Sequence, residues 1–487
     1  MNPFGTVQLA ALLAAGGAGF VLLARSRVPL LAGFAAIALA ETVLARSRDG
    51  APSPTVVAGG AAALLVGVGA ALLLARRPAL VIPLLLAAAP FRLPLNFDPD
   101  HRFLVAVAEA GQLGRLLPLY GMLGVAVLEL SLRALRSKEV LPIPRALAFP
   151  STAFVALACL SLAWSDDVSA GRNLLGFFVV PFVVLVAVAA RAPFPRWLPR
   201  VLAIEGVALA ALFATIGIWE AATKELIFFT PNIEVANSYA SYFRVTSLFR
   251  DPSLYGRQVV LGIAIVLVAV FLRRIGVLWG AAIIALLWAG LFFSYSQSSL
   301  LALFAAVVFV MLVAGGKVGR RAVAAAAVVS AVGAGAAALV IANTSEASTQ
   351  RATSDRSRRV ELTARVFAHH PVAGVGFGAQ PRETQRISPR PGPPSKFVSH
   401  ATPLTVAAEL GVIGLIAYVA LLAGGVRILE LARRLQPALG LALEAVVLAL
   451  VVHSLFYSGF FEDPITWLAL AIAANVVTRG GVEPSDA

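Results

Sequence analysis

A succession of long apolar runs, most of them parted by paired arginines, fixes what this chain can become. The runs fall at about 7–24, 28–45, 55–75, 78–91, 115–133, 146–164, 173–190 and 200–219. Others follow at about 257–272, 276–294, 298–315, 322–342, 404–426, 437–457 and 464–478. Some 20 apolar residues, each rising about 1.5 Å, cross a hydrocarbon core roughly 30 Å thick. The 487 residues are 59% hydrophobic and only 13% charged. That balance excludes a soluble enzyme, a disordered chain and a disulfide scaffold. The expected fold class is an all-α polytopic membrane protein with about 12–15 transmembrane helices. No basic residue precedes the first run, so it reads as a retained helix rather than a signal peptide. The single cysteine, Cys159, lies in an apolar run and has no partner with which to form a disulfide.

The net charge of +14 would suggest nucleic acid in a soluble chain. Here topology accounts for most of it, and no nucleic-acid partner is expected. Arg25/Arg27, Arg76/Arg77, Arg133/Arg136/Lys138, Arg191/Arg196, Arg273/Arg274, Lys317/Arg320/Arg321 and Arg433/Arg434 fall in every second connection. The positive-inside rule assigns those connections to the cytoplasm. Arg46 and Arg48 break the pattern, which leaves the N-terminal three spans the least constrained. Two long connections, 221–256 and 342–403, are then external. The second holds nine basic residues against four acidic ones. An anionic ligand at the outer face explains that surplus; a solvated loop, or contact with anionic lipid head groups, explains it equally well.

The composition of Val360 to His369 predicts a helix inside this loop, and the Pro-rich stretch Ser388 to Lys396 predicts an irregular segment. Three of the five histidines, His369, His370 and His400, lie in the same loop. Histidine is the usual general base near neutral pH.

Four stretches carry a resemblance. They are Arg244-Val245-Thr246-Ser247-Leu248-Phe249-Arg250-Asp251-Pro252-Ser253, Ser294-Tyr295-Ser296-Gln297-Ser298-Ser299, and His369-His370-Pro371 running on through Gly374, Gly376 and Gly378. The last is Ser399-His400, with Gly411-Val412-Ile413-Gly414 following after Leu410. Together they resemble the O-antigen ligase and polymerase superfamily, in that family's order. The resemblance covers the chain from about residue 80 onward. It divides the chain into 1–77, N-terminal helices added to a core, and 78–479, an O-antigen ligase-like catalytic domain containing both external loops. Three positions differ from the family pattern: Ala401 stands for a small polar residue, Ser247 for a glycine, and Gln297 for an arginine.

The resemblance implies a glycosyltransferase C-like helical bundle in the cytoplasmic (inner) membrane, with its active site facing the periplasm or exterior. The donor would be a glycan on undecaprenyl pyrophosphate, and the acceptor a lipid A core sugar or another cell-envelope glycan. Surrounding membrane lipids complete the expected partners, in a step of lipopolysaccharide biosynthesis. Such a transfer needs arginines on the leaving pyrophosphate, a group that takes the acceptor's proton, and an apolar groove for the lipid tail. Its energy comes from the pyrophosphate bond, and the chain has no phosphate-loop motif. No ATP, cofactor or metal is expected. Asp98 and Asp100 have a metal-like spacing but also that of a common turn.

His400 is the candidate base, and Arg244 and Arg250 are the candidate pyrophosphate ligands. Arg359, Arg365 and Gln297 are candidates for substrate contact, with Glu409 placed to orient His400. The less favoured alternative for Arg244 and Arg250 is a solvated loop charge or an ion pair with Asp251. His369 and His370 diverge as neighbours and are read as structural. Gly374, Gly376, Gly411 and Gly414 are read as permitting tight turns and close helix approach. The alternatives are a polymerase joining lipid-linked repeat units and, in another class, a lipid or solute transporter. Against transport, Glu41, Glu129 and His453 make up nearly all the ionisable groups inside the runs, with no relay among them.

Overall fold

The computed structural model describes residues 3–50, 54–91, 116–137, 140–228, 231–249, 251–324, 356–389, 399, 401–457 and 461–480. Helices α1 (Pro3–Leu23), α2 (Arg27–Asp49), α3 (Pro54–Leu74), α4 (Val81–Ala88), α5 (Leu117–Arg136) and α6 (Arg145–Leu160) come first. A continuous rod follows, made of α7 (Val168–Leu174), one π-helical turn, and α8 (Val180–Ala189). Then come α9 (Leu198–Thr223), the short α10 (Pro231–Tyr239), α11 (Pro252–Phe271), α12 (Val277–Phe292) and α13 (Gln297–Ala314). The last five are α14 (Arg356–His369), α15 (Gln380–Ile387), α16 (Thr402–Leu435), α17 (Pro437–Ser454) and α18 (Pro464–Arg479).

The chain is therefore a polytopic helical membrane protein, with no strand among the described residues. Among the described residues eleven helices are long and apolar enough to cross a membrane, and three shorter apolar ones accompany them. Each apolar run of the sequence corresponds to one of these, except 322–342, most of which lies outside the described residues. The helix expected over Val360 to His369 is the C-terminal part of α14.

Lipid tails are as apolar as leucine, so helices in a bilayer associate through close packing rather than hydrophobic expulsion. Small residues accordingly sit at the contacts. Gly17 of α1 faces Gly33 of α2, and Gly424 of α16 lies against the backbone of Ala146 in α6. Helices α11, α13 and α17 pack on one another, α9 packs on α11 and α12, and α16 packs on α6, α17 and α18. The first helix is integral to this bundle, packing on α2, α6 and α8.

The basic connections gather at one end, and Arg191 ties them together. It is fully buried, and its guanidinium donates to the carbonyls of Val21 (3.0 Å), Ala24 (3.2 Å), Leu141 (2.9 Å) and Ala187 (3.1 Å). These include carbonyls left over where α1 and α8 stop. What the sequence shows as a topogenic charge is thus also a buried clamp.

The short inventory of intramembrane charges needs correction. Helical segments also enclose Glu205, Glu220, Arg257 and Glu444. They sit in strongly apolar surroundings, and α9 and α11 extend past the apolar runs, so Glu220 and Arg257 read as loop-edge residues. Several are satisfied locally: Glu129 by Arg133 at 2.8 Å and Glu444 by Arg433 at 2.8 Å. Neither pair links to the other.

Candidate active site

At the end opposite the basic connections, the loop 244–249 is built on a buried carboxylate. Glu220, in the last turn of α9, accepts the backbone N–H groups of Ile227 (2.9 Å), Thr246 (2.8 Å) and Ser247 (2.7 Å). Asn237 of α10 closes the loop from outside, bonding both the N–H and the carbonyl of Arg244. The loop then docks on the α12–α13 turn. Val245 N–H donates to the Phe293 carbonyl (3.2 Å), and Arg244 Nε donates to the Ser294 carbonyl (3.4 Å). Two stretches that the sequence shows some 50 residues apart therefore form one structure.

Ser247, standing where the family has glycine, has φ 51°. This left-handed backbone costs a non-glycine residue about 1–2 kcal/mol. Its Oγ donates to the Phe213 carbonyl at 2.9 Å, and a hydrogen bond offsets roughly 1 kcal/mol of that. Ser247→Gly should therefore leave stability within about 1 kcal/mol of the parent. Ser247→Val, which keeps the strain and loses the bond, should cost about 2 kcal/mol. Thermal unfolding in detergent checks both; a strongly destabilised glycine variant would contradict the strain.

Among the helices that begin at this end are α11, α13, α16 and α18. Asp251 caps α11 through the N–H groups of Ser253 and Leu254, and Asp463 caps α18 through Ile465. Ser296 caps α13 by accepting from Ser299 N–H. Helix α16 has Ala401 at its N-cap and so lacks a side-chain cap. Helix N-termini carry partial positive charge and free N–H donors. Carboxylates neutralise two of the four, which leaves α13 and α16 open to an anion.

A chain of hydroxyl and imidazole contacts joins these termini. Ser296 Oγ lies 2.9 Å from Ser299 Oγ and 3.2 Å from Ser298 Oγ, and Ser298 Oγ is 3.2 Å from Nε2 of the buried His453. Next to His453, the Ser454 carbonyl accepts from Thr402 Oγ1 at 3.1 Å, at the start of α16. Ser299 Oγ donates to the Ser253 carbonyl at 3.3 Å. Below them Arg257 Nη2 pairs with Asp463 Oδ2 at 2.8 Å, both side chains at most 4% exposed.

The glycine-rich stretch 371–378 forms the flank of this end. Helix α16 breaks at Gly411 (φ 66°, ψ −164°), a conformation essentially restricted to glycine. The break exposes backbone groups that a membrane cannot satisfy, and the 371–376 segment satisfies them. Val375 and Gly376 N–H donate to the carbonyls of Ala408 (3.1 Å) and Glu409 (2.8 Å), and Val412 N–H donates to Pro371 (2.8 Å). The buried Glu409 side chain faces the N–H groups of Gly378 and Gln380. Phe377 N–H donates to Ser161 Oγ at 3.0 Å. Gly374, at φ 67°, packs on the backbone of Glu409 and Leu410. These glycines serve the tight turns and close approach that the sequence suggested.

The described parts of these motifs meet at one end of one bundle. The O-antigen ligase family profile matches residues 281–419, from within α12 to the middle of α16. The chain carries an O-antigen ligase domain. No curated protein matches the chain in sequence. The matched span of the ligase domain includes Ser294–Ser299, the Gly374–Gly378 stretch and the Gly411 break, while the Arg244 loop docks on it from outside.

The structure brings Arg244 and Gln297 to the same side of the ligase domain. Arg244 is half-buried, with no carboxylate in ion-pair range among the described residues; Gln297 is exposed in the first turn of α13. Arg359 is half-buried on α14, which packs on α16. Arg365 is exposed and bound to Glu361 at 2.6 Å. Arg386 bridges Asp166 (3.0 Å) and Glu383 (3.1 Å), and the Glu383 hydrogen bond, with Asp166 beside it, raises the arginine's pKa above its ordinary value. Part of this loop's positive surplus therefore holds it onto the α6–α7 turn. His370 Nε2 lies 3.8 Å from Glu383 Oε1. His400, Arg250, Asp98, Asp100, Arg390 and Lys396 lie outside the described residues.

Glu220, the Arg257–Asp463 pair and the His453–Ser298 contact are the residues that sequence reading missed in this role. The available signal was an ionisable group inside an apolar helix, which a bilayer tolerates only when it is partnered.

Proposed function

We propose that this chain transfers a glycan from an isoprenoid pyrophosphate, undecaprenyl pyrophosphate in a bacterial membrane, to a hydroxyl acceptor on the exterior of the cytoplasmic membrane. The observation that carries this reading is the docking of Arg244 onto the α12–α13 turn beside the open N-termini of α13 and α16. An arginine with no carboxylate partner among the described residues, next to two helix N-termini, suits a leaving group that gains negative charge as its bond breaks. The acceptor oxygen attacks the anomeric carbon, the carbon–oxygen bond to pyrophosphate breaks, and the acceptor proton passes to a base. His400 takes that role; of its chain neighbours, the Ala401 N–H donates to Ser399 Oγ at 3.1 Å. Arg250 and Gln297 flank the pyrophosphate, and Arg359 and Arg365 border the donor glycan. Glu409 positions the glycine-rich segment rather than His400. The catalytic unit comprises 78–479, with the helices of 1–77 added to it.

Proteoliposomes loaded with an undecaprenyl-pyrophosphate oligosaccharide should release undecaprenyl pyrophosphate and form glycosylated acceptor without ATP. A lipid A core acceptor supports the ligase reading, whereas chains of repeat units support a polymerase. Arg244→Ala and His400→Ala should each slow transfer about 100-fold, by removing charge stabilisation and proton transfer respectively. Labelled lipid crossing the bilayer with no transfer to any acceptor would instead favour a transporter.

A further inference from the structure

A second large feature lies away from this end. A cavity of about 920 Å³ opens between α4, α9, α11, α17 and α18. On α9 it runs from Arg200 to Phe213, about 20 Å at 1.5 Å per residue. Its wall is almost wholly apolar, with Leu202, Leu209, Ile265, Leu443 and Ile472 among the lining residues. Its polar groups are strongly segregated. Arg196, Arg200, Arg274 and Gln436 line the end at the basic connections, and only Gln258 stands toward the other. Gln436 Nε2 is buried without a hydrogen-bond partner, and the first turn of α17, Pro437 to Leu439, lines the cavity beside it.

We infer that this cavity binds an anionic phospholipid of the leaflet on the basic side, with its phosphate among the three arginines and its acyl chains along α9. Three cations, a helix N-terminus and an unpartnered amide donor converge where a phosphate would sit. A buried N–H without an acceptor is destabilising, and a phosphate oxygen would satisfy it. The polarity also selects the occupant. The tail of a pyrophosphate donor bound at the Arg244 end would place its head group beside Gln258 and leave the arginine end to hydrocarbon.

Native mass spectrometry of the full-length protein, delipidated and titrated with phosphatidylglycerol or with phosphatidylcholine of the same chains, tests this. Phosphatidylglycerol should bind at least about tenfold more tightly, as expected for a head group that pairs with arginines. The combined variant Arg196→Gln, Arg200→Gln, Arg274→Gln should remove that preference, and Gln436→Leu alone should weaken phosphatidylglycerol binding severalfold. Gly206→Leu, which narrows the cavity, should weaken both lipids. Equal binding of the two lipids, or an unchanged preference in the arginine and Gln436 variants, overturns the assignment. So would displacement by undecaprenyl phosphate that depends on Gln258 and not on the arginines, since that gives the cavity to the donor's tail.

Discussion

Replacing Arg257 with methionine should destabilise the folded protein by about 3–5 kcal/mol, because it leaves the Asp463 carboxylate buried and unpaired. Asp463 divides its work between two oxygens: Oδ1 caps α18 through Ile465 N–H, and Oδ2 faces Arg257 at 2.8 Å. The pair therefore joins α11 to the start of α18 beneath the proposed pyrophosphate site. Asp463→Asn preserves the cap and removes the charge. The double variant Arg257→Met, Asp463→Asn should accordingly recover at least half of the loss, whereas two independent lesions would add. Denaturation in mixed micelles reads both. A single-variant cost below about 1 kcal/mol would place the pair among exposed ion pairs of little consequence and remove it from this account.

Gly411→Ala should yield no monodisperse folded protein and no transfer. The residue occupies a region of backbone space that costs other residues about 1–3 kcal/mol. A Cβ there would also overlap the carbonyl of Val372 in the segment that satisfies the broken helix. Relief by withdrawal of that segment would strand the N–H of Val412 and the carbonyls of Ala408 and Glu409, each costing several kcal/mol in a nonpolar medium. Gly121→Ala on α5 is the control. A Cβ there meets nothing within 4 Å, so that variant should express and elute as the parent does. Normal elution and activity of Gly411→Ala would show that α16 can straighten, and that the break is not required.

The site was legible in parts. The Arg244 stretch and Ser294–Ser299 were visible as local patterns, because each carries its turn and cap residues within ten positions. Their junction through the Phe293 and Ser294 carbonyls was not, because backbone hydrogen bonds between loops leave no mark on side-chain identity. Glu220 was invisible for a related reason: its partners are three main-chain N–H groups, and any residue could supply those. The external charge surplus was read as pointing to an anion. The structure sets part of it, Arg365 and Arg386, against Glu361, Glu383 and Asp166, while Arg244, in the other long loop, has no carboxylate in ion-pair range among the described residues.

The sequence by itself determined that the chain is a polytopic helical membrane protein, and where along it most of the apolar helices run. A bilayer tests a chain one segment at a time, for apolar length and for flanking positive charge, and both are properties of contiguous residues. Only the tertiary structure decided which helices begin side by side, which carboxylates neutralise their N-termini, and which glycine breaks a helix against which segment. Those outcomes rest on contacts such as Phe377 with Ser161, 216 residues apart. In a membrane such contacts form through shape and polar satisfaction between helices whose apolar faces look alike.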